Sequence, residues 1–541
     1  MTTIASIDNS HFRFYTYPNP NTPIVFWQPI TLGQLRSWPK LIIPCESLPF
    51  MRSHVSNPRI LLLGLLFLLC VAFRLWVSQT TWMHYDENYY LNIAQNYIAR
   101  GELTPYMWRL GDTNIIAGSG SGYGVLLLAI WLKLVNGSLY LGRLFMVMAG
   151  LLAAGLMYQI GSRWWGSNSA GIVALAFALA STSPFYTLTL RMDAIGVLAY
   201  CVVLLLFTSA IRPNASPWLS FVVGVLAVVT LEIHILGVVY LLALGVTYQV
   251  YLIRDTLHTR RLSIKHPAVL FAAGAGLASF VYFLIHILPD PTAYFIISQK
   301  CVECDKGILS TEIERLILLM ILRPIELLLL FVVLTTSLRR RSQQDKRYLL
   351  LVAGWIAVQA VVGTPPYVHY ASHFWPILAL GVGGLVTKES KFPTKQTAPQ
   401  ESRRIITALL IALVILISNL AMFLASKPPY LLAYQLKETP AVRYIQENIP
   451  RDSVIMGNVL SYYGLRDYPN YLSYRDGDKF GVLLRGETMT AFWEREQPIV
   501  VLVDEKDVLK DPELRDYLRL GKFIQIQSDL WVAEHIRGLQ P

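Results

Sequence analysis

The stretch ILLLGLLFLLCVAFRLWV (Ile60–Val77) and the segment WMHYDENYYLNIAQNY (Trp82–Tyr97) that follows it decide the fold class. The first is an almost unbroken apolar run, and it approaches the roughly 20 residues that a helix needs to cross a bilayer core. The second places adjacent carboxylates, Asp86 and Glu87, among one histidine and four tyrosines. Together they predict a membrane-spanning helix that ends in an acidic and aromatic segment.

The composition extends this prediction to the rest of the chain. Of 541 residues, 54% are hydrophobic and 15% are charged, whereas a soluble domain carries about 25% charged residues. Further apolar runs, such as Ile405–Ala425, predict a polytopic α-helical membrane protein. The first run follows a polar stretch too long for a signal peptide, so it is predicted to be a retained span.

The distribution of positive charge predicts how the chain crosses the membrane. About eleven spans between residues 58 and 426 place the basic loops on one side, which by the positive-inside rule is the cytoplasm. These loops include Arg254–His266, Leu338–Lys346 and Lys388–Arg404. They account for the net charge of +11, so a nucleic-acid partner is not expected. We therefore predict an integral, multi-pass protein of the plasma (inner) membrane.

Three regions follow from this topology: a cytoplasmic N-terminal segment (1–57), a transmembrane module (58–426) and an extracytoplasmic domain (427–541). The apolar segment Gly122–Val135 is too short for a span, and counting it as one would place the basic loops outside. It is predicted to be a helix on the outer membrane face, within a first outer loop of residues 79–140.

The last region has the composition of a small soluble α/β domain. Its patterns predict two helices, Pro440–Asn448 and Pro512–Leu520. Strands are predicted within Ser453–Asn458, Pro498–Asp504 and Phe523–Glu534.

Acidic residues at two predicted outer connections are candidate site residues. Asp86 and Glu87 follow the first span, and Asp193 stands two residues after Arg191 at the start of a later span. Ionisable groups near a membrane are functional candidates by default. The alternatives are solvated loop charges for the first pair and a local ion pair for the second.

Two further outer connections contribute polar side chains. Glu232 and His234 lie in a turn so tight that both must sit near bilayer depth, either at a site or in a structural polar cluster. Tyr367, His369 and His373 follow Pro365 and Pro366. The histidine spacing of four suits a metal on a helix, but the prolines and the lack of a second motif favour contact with phosphate or sugar, or interfacial packing. The metal is therefore undetermined, with a divalent ion as one candidate cofactor.

These groups would meet just outside the bilayer, where the head group of a lipid-borne substrate lies. An aspartate could accept the proton of an incoming hydroxyl, and cations could stabilise a departing phosphate. A transporter or flippase for a lipid-linked or anionic solute is the main alternative. It would place charges near the midplane, often in two related halves, and no internal repeat is visible.

Four motifs carry a resemblance to a known family. They are Tyr85-Asp86-Glu87 after the first span, Gly122-Tyr123-Gly124 before the short apolar helix, Gly142-Arg143-Leu144 opening a span, and Arg191-Met192-Asp193. In this order they resemble the GT-C glycosyltransferases of the protein O-mannosyltransferase and aminoarabinose (lipid A) transferase type, including bacterial members labelled RgtA/B/C/D-like. The resemblance covers roughly residues 57–385.

The resemblance implies a GT-C fold and an inverting transferase of the cell envelope. Such an enzyme moves a monosaccharide from a polyprenyl-phosphate donor to a hydroxyl of a lipid, glycan or protein at the outer face. It implies Asp86 as the catalytic base, Glu87 as its partner and Asp193 as the second acidic position. Donor-phosphate contacts would come from Arg191, His234, His369 or His373.

Overall fold

The structure is a computed structural model, and it describes the greater part of the chain. The described residues are 58–80, 85–101, 122–181, 189–212, 214–234, 236–260, 263–292, 294, 323–362, 373–387, 398–425, 439–474 and 486–537. Tyr367 and His369 lie outside these ranges, so their predicted roles at a site stay predictions.

The first part of the chain consists of helices joined by connections without strands in its described residues. Its helices are α1 (Pro58–Thr80), α2 (Tyr85–Arg100), α3 (Gly122–Leu134), α4 (Leu139–Trp165), α5 (Asn168–Ser181), α6 (Asp193–Ala210), α7 (Trp218–Val229), α8 (Gly237–Thr259), α9 (Pro267–Tyr282), α10 (Pro324–Arg340), α11 (Gln343–Val362), α12 (Trp375–Gly384) and α13 (Ala398–Ala425). A 3₁₀ turn, Thr230–Glu232, extends α7, and a π-helical turn, Phe283–Ile287, extends α9.

Six helical segments of the described chain are long and apolar enough to cross a membrane. They are Pro58–Thr80, Leu139–Trp165, Asp193–Ala210, Gly237–Thr259, Pro267–Ile287 and Gln400–Ala421. Four shorter apolar helices accompany them. The predicted class, a polytopic α-helical membrane protein, is confirmed, while the count of about eleven spans stays a prediction.

Small residues let the central helices approach closely. Gly161 of α4 faces α5, where a Cβ atom would come 3.0 Å from the Cβ of Ala174, and Gly171 of α5 leaves no room for one beside the carbonyl oxygen of Tyr158. Such contacts drive helix association in lipid, where burial of apolar surface gives little gain. The outward face of α1 leaves Leu61 and Leu68 exposed, as a lipid-facing surface requires.

The short apolar segment forms α3, as predicted, and packs against the connection that precedes α6. A Cβ atom on Gly124 would come 2.9 Å from the carbonyl oxygen of Ile233 and from the sulfur of Met192. Glycine is therefore needed here for close packing. α3 thus supports two of the connections that carry candidate site residues, and its place on the outer membrane face stays a prediction.

A small α/β unit follows the helical part. Its elements are α14 (Pro440–Asn448), β1 (Ile455–Gly457), β2 (Tyr471–Ser473), α15 (Met489–Glu496), β3 (Val500–Leu502), α16 (Glu505–Lys510), α17 (Pro512–Leu520), β4 (Phe523–Gln527), β5 (Leu530–Ala533) and α18 (Glu534–Arg537). The strands form one sheet in the order β2-β1-β3-β5-β4. β1 is parallel to both neighbours, whereas β5 is antiparallel to both of its neighbours.

The predicted helices of this unit are confirmed at the same residues, and strands lie within each of the three predicted segments. The short elements β2, α15, α16 and α18 were not predicted. β2 lies between Asn470 and Arg475, in a polar stretch that lacks an apolar run like the one that contains β3.

The α/β unit packs against α2, the helix that carries Asp86. The Tyr462 hydroxyl donates a hydrogen bond to Gln95 Oε1 at 2.5 Å. Leu91 of α2 shares a buried apolar cluster with Ile445 of α14. Both elements therefore lie at the same end of the helical bundle.

Candidate functional site

Arg191 joins two acidic residues that are far apart in the sequence. Its Nη1 atom lies 2.5 Å from Asp86 Oδ2, and its Nε donates a hydrogen bond to Asp193 Oδ2 at 2.8 Å. Asp86 stands in the first turn of α2 and Asp193 in the first turn of α6, where the helix dipole favours a carboxylate. The structure thus brings Asp86, Arg191 and Asp193 into direct contact.

Glu87 has a different partner from its neighbour Asp86. Its two carboxylate oxygens accept hydrogen bonds from Arg143 Nε at 2.9 Å and Nη2 at 2.7 Å. The backbone N–H of Leu190 also donates to Glu87 Oε1, at 2.6 Å, while Arg143 Nη1 donates to the carbonyl oxygen of Ser78. Both charged side chains are fully buried. Glu87 and Arg143 together therefore connect α1, α2, α4 and the segment that carries Arg191.

Two histidines and a tyrosine surround the other side of Asp193. Its Oδ1 lies 3.0 Å from His373 Nε2 and 3.6 Å from His234 Nε2. The hydroxyl of Tyr240 lies 2.6 Å from His373 Nδ1, and its ring stacks on Tyr200 with centroids 3.7 Å apart. All these side chains are buried, so the orientation of Asp193 is fixed from several helices.

The charge states of Arg191 and His234, which both lie in connecting segments, follow from their surroundings. Burial alone would lower the pKa of Arg191, but the carboxylates of Asp193 and Asp86 outweigh it and hold that pKa above its ordinary value. For His234, burial and the neighbouring His373 lower the pKa to about 3, despite the attraction of Asp193. At neutral pH Arg191 is therefore charged and His234 is neutral.

Asp193, His234 and His373 could hold a metal by distance alone, because their ligand atoms all lie within 4.8 Å of one another. The hydrogen bonds of His234 do not fit such a role. The backbone N–H of Leu236 donates to its Nδ1 at 3.2 Å, so the proton of the neutral ring belongs on Nε2. A protonated nitrogen has no lone pair for a metal. These contacts favour a supporting role for His234 beside Asp193, and a divalent ion as cofactor stays a prediction.

We expect the substitution His234→Gln to leave the zinc content of the purified protein unchanged, because the Nε2 atom that faces Asp193 carries the ring proton. Inductively coupled plasma mass spectrometry measures the metal after exposure to zinc and desalting. His258→Gln, at an exposed position, controls for adventitious binding by surface histidines. Loss of one zinc per chain in the first variant alone would show that the cluster is a metal site.

The structure separates Glu232 from His234, its neighbour in the same predicted turn. The Glu232 carboxylate forms an ion pair with His286, which lies on the π-helical turn after α9. Among the described candidates, Asp86, Arg191, Asp193, His234 and His373 form one contiguous cluster. Glu87 and Glu232 contact other groups beside it.

Three carboxylates in the cluster or next to it differ sharply in the exposed fraction of their side chains. The side chain of Asp86 is 35% exposed, that of Asp193 is 1% exposed and that of Glu87 is 0% exposed. Of these three, Asp86 alone can meet an incoming molecule without rearrangement of the fold.

Sequence reasoning overlooked two residues that support these groups. Tyr240, which contacts His373, lies in an apolar helix where no pattern distinguishes it from a packing residue. His286, the partner of Glu232, lies in a candidate membrane span. A titratable residue inside a span is a recognised signal, and it could have identified His286.

Solved structures with a similar fold include two of ArnT and one of an oligosaccharyltransferase. ArnT from Cupriavidus metallidurans in the apo state matches with a TM-score of 0.64 and 13% identity, over 88% of this chain and 99% of that chain. ArnT bound to undecaprenyl phosphate matches with a TM-score of 0.60 and 12% identity, over 88% and 98%. The Archaeoglobus fulgidus oligosaccharyltransferase in the apo form matches with a TM-score of 0.50 and 12% identity, over 84% and 70%.

No protein-family model and no curated protein sequence matches the chain. The three structures reported share the GT-C fold, and the match to apo ArnT covers 88% of this chain and 99% of that chain. The predicted GT-C fold is confirmed.

Proposed function

We propose that this GT-C chain is an inverting membrane glycosyltransferase. It would move a monosaccharide from a polyprenyl-phosphate donor to a hydroxyl of a lipid, glycan or protein at the outer membrane face. The observation that carries the proposal is the position of Asp86, a half-buried carboxylate held beside a buried, charged arginine. The match to ArnT, one structure of which is bound to undecaprenyl phosphate, supports the class of donor.

In the proposed reaction Asp86 accepts the proton of the acceptor hydroxyl. The acceptor oxygen forms a bond to the anomeric carbon of the sugar as the bond from that carbon to the phosphate oxygen breaks. The bonding electrons leave with the polyprenyl phosphate. Because the displacement has one step, the configuration at the anomeric carbon inverts, and no covalent sugar–enzyme intermediate is needed.

Arg191 has two parts in this proposal. It fixes the Asp86 carboxylate through the 2.5 Å contact, and its positive charge favours the approach of an anionic donor. Asp193, with His234 and His373, holds the guanidinium in place from the buried side. Glu87 holds α2 in position through its contact with Arg143. Glu232 is proposed to contact the sugar or phosphate, as are Tyr367 and His369, which lie outside the described residues.

The proposal also includes a topology. The N-terminal segment, 1–57, lies in the cytoplasm. The GT-C module occupies residues 58–426, and the domain 427–541 lies outside, beside α2. The contact between Tyr462 and Gln95 supports this arrangement, because it keeps the soluble domain at the same end of the bundle as Asp86. An acceptor could then contact both the domain and the site.

The test is an assay of the purified protein in proteoliposomes, supplied with polyprenyl-phosphate sugars and candidate acceptors. We expect sugar transfer, measured as released polyprenyl phosphate and as inverted glycoside, and a polyprenyl-phosphate sugar among the lipids that co-purify. Movement of an intact lipid-linked solute across the bilayer, with no glycosidic bond broken for any donor, would instead establish the transporter alternative.

A further inference from the structure

A groove lies at the opposite end of the helical bundle from Asp86. Its volume is about 520 Å³, and it opens between α5, α10, α12 and α13. Apolar side chains line most of it, among them Val173, Phe177, Leu329, Val382 and Ile411.

The helices themselves show that this groove is remote from the candidate site. α12 begins two residues after His373, which contacts Asp193, and it reaches the groove near its other end at Val382. At that far end Arg340, in the last turn of α10, donates a hydrogen bond to the carbonyl oxygen of Gly384 at 2.6 Å. The groove therefore lies toward the basic, predicted cytoplasmic end of the bundle and takes no part in the proposed transfer.

Two arginines stand at the polar end of the groove. Arg403 is exposed and Arg404 is partly exposed, and both line the groove in the second turn of α13. Within the described part of the chain, no hydrogen bond or ion pair joins either of them to another residue. Glu401, the acidic group in the same region of α13, is occupied by a contact with Ser169. The positive end of the helix dipole of α13 adds to the two charges.

A groove of this kind combines two features of a lipid site. Its apolar walls match an acyl chain, and its unpaired cations match a phosphate at the level of the membrane surface. Basic pockets between membrane helices on the cytoplasmic side bind acidic lipid head groups for this reason.

We infer that this groove binds an anionic glycerophospholipid of the membrane, with its phosphate between Arg403 and Arg404 and one acyl chain along Phe177, Leu329 and Ile411. The bound lipid contacts α5, α10, α12 and α13 where these helices line the groove. The inference is independent of the proposed glycosyl transfer, because the groove and Asp86 lie at opposite ends of the bundle.

The experiment places the full-length protein in nanodiscs of equal parts phosphatidylglycerol and phosphatidylcholine, followed by native mass spectrometry after release into detergent. We expect the wild-type chain to retain phosphatidylglycerol preferentially. The double substitution Arg403→Gln with Arg404→Gln should lower that retention about tenfold, since two surface charges are removed. Ile411→Trp, which narrows the groove without a change of charge, should lower it as well.

The matched control is Arg339→Gln with Arg341→Gln, which removes the same charge from exposed positions outside the groove and should keep retention within twofold of wild type. Equal losses in both double variants would show only a diffuse surface potential and would overturn the inference. So would equal retention of the two phospholipids by wild type. Displacement of phosphatidylglycerol by added polyprenyl phosphate at equal concentration would also overturn it, by assigning the groove to the carrier lipid.

Discussion

The substitution Asp86→Asn is expected to lower the rate of sugar transfer about a thousandfold, within the range of roughly 10² to 10⁴ that a general base contributes. Asparagine has the same shape, and its side-chain oxygen can still accept a hydrogen bond from Arg191 Nη1. The variant therefore keeps the geometry and loses the ability to accept a proton. The measurement is the initial rate of polyprenyl phosphate release in proteoliposomes.

Two comparisons make this result specific. Asp255→Asn removes an equivalent charge from an exposed ion pair with Arg254 near the end of α8, and it should leave transfer within twofold of wild type. Asp193→Asn should both lower transfer and lower the melting temperature, because that carboxylate is buried and supports Arg191. Near-normal turnover of the Asp86→Asn variant would remove Asp86 as the base.

Much of the architecture could be predicted because its cause is local. Helix Pro440–Asn448 begins with a Thr439 side chain that accepts a hydrogen bond from the Val442 N–H and with a proline in its first turn. Both signals are readable in the sequence. The apolar runs identify membrane helices in the same way. β2, at the edge of the sheet, depends on its pairing with β1, and its polar surroundings carry no local signal for a strand.

The candidate site was predictable in part, for a different reason. The assignment of each loop to one side of the membrane was enough to place five residues at one end of the bundle: Asp86, Arg191, Asp193, His234 and His373. It could not show which of these side chains contact one another. Two adjacent carboxylates, Asp86 and Glu87, point to different arginines because successive residues of a helix lie on different faces. The exposure that distinguishes them depends on the tertiary packing around each side chain.

Glu87 was predicted to be a catalytic partner of Asp86, and its contacts support a purely structural role. Its carboxylate accepts two hydrogen bonds from Arg143 and one from the Leu190 N–H, with no exposed surface on either charged side chain. If one partner is removed, the other stays charged and unpaired in the interior. Such a loss costs about 3–5 kcal/mol.

A double-mutant cycle tests this assignment. Glu87→Gln and Arg143→Met are each expected to lower the free energy of unfolding by about 3–5 kcal/mol. In the double variant no buried charge is left unpaired, so its cost should be smaller than the sum of the single costs by about 2–3 kcal/mol. The measurement is equilibrium unfolding of the full-length protein in mixed micelles of maltoside and dodecyl sulfate.

The exposed pair Arg254–Asp255 gives the control for this cycle. Its coupling energy should stay below about 1 kcal/mol, as for other solvated ion pairs. A coupling energy near zero for Glu87 and Arg143 would contradict the structural assignment. A Glu87→Gln variant with wild-type stability and the thousandfold loss expected for Asp86→Asn would instead give Glu87 a direct part in catalysis. The buried, bidentate geometry favours loss of stability, because Arg143 has no access to solvent once its partner is neutral.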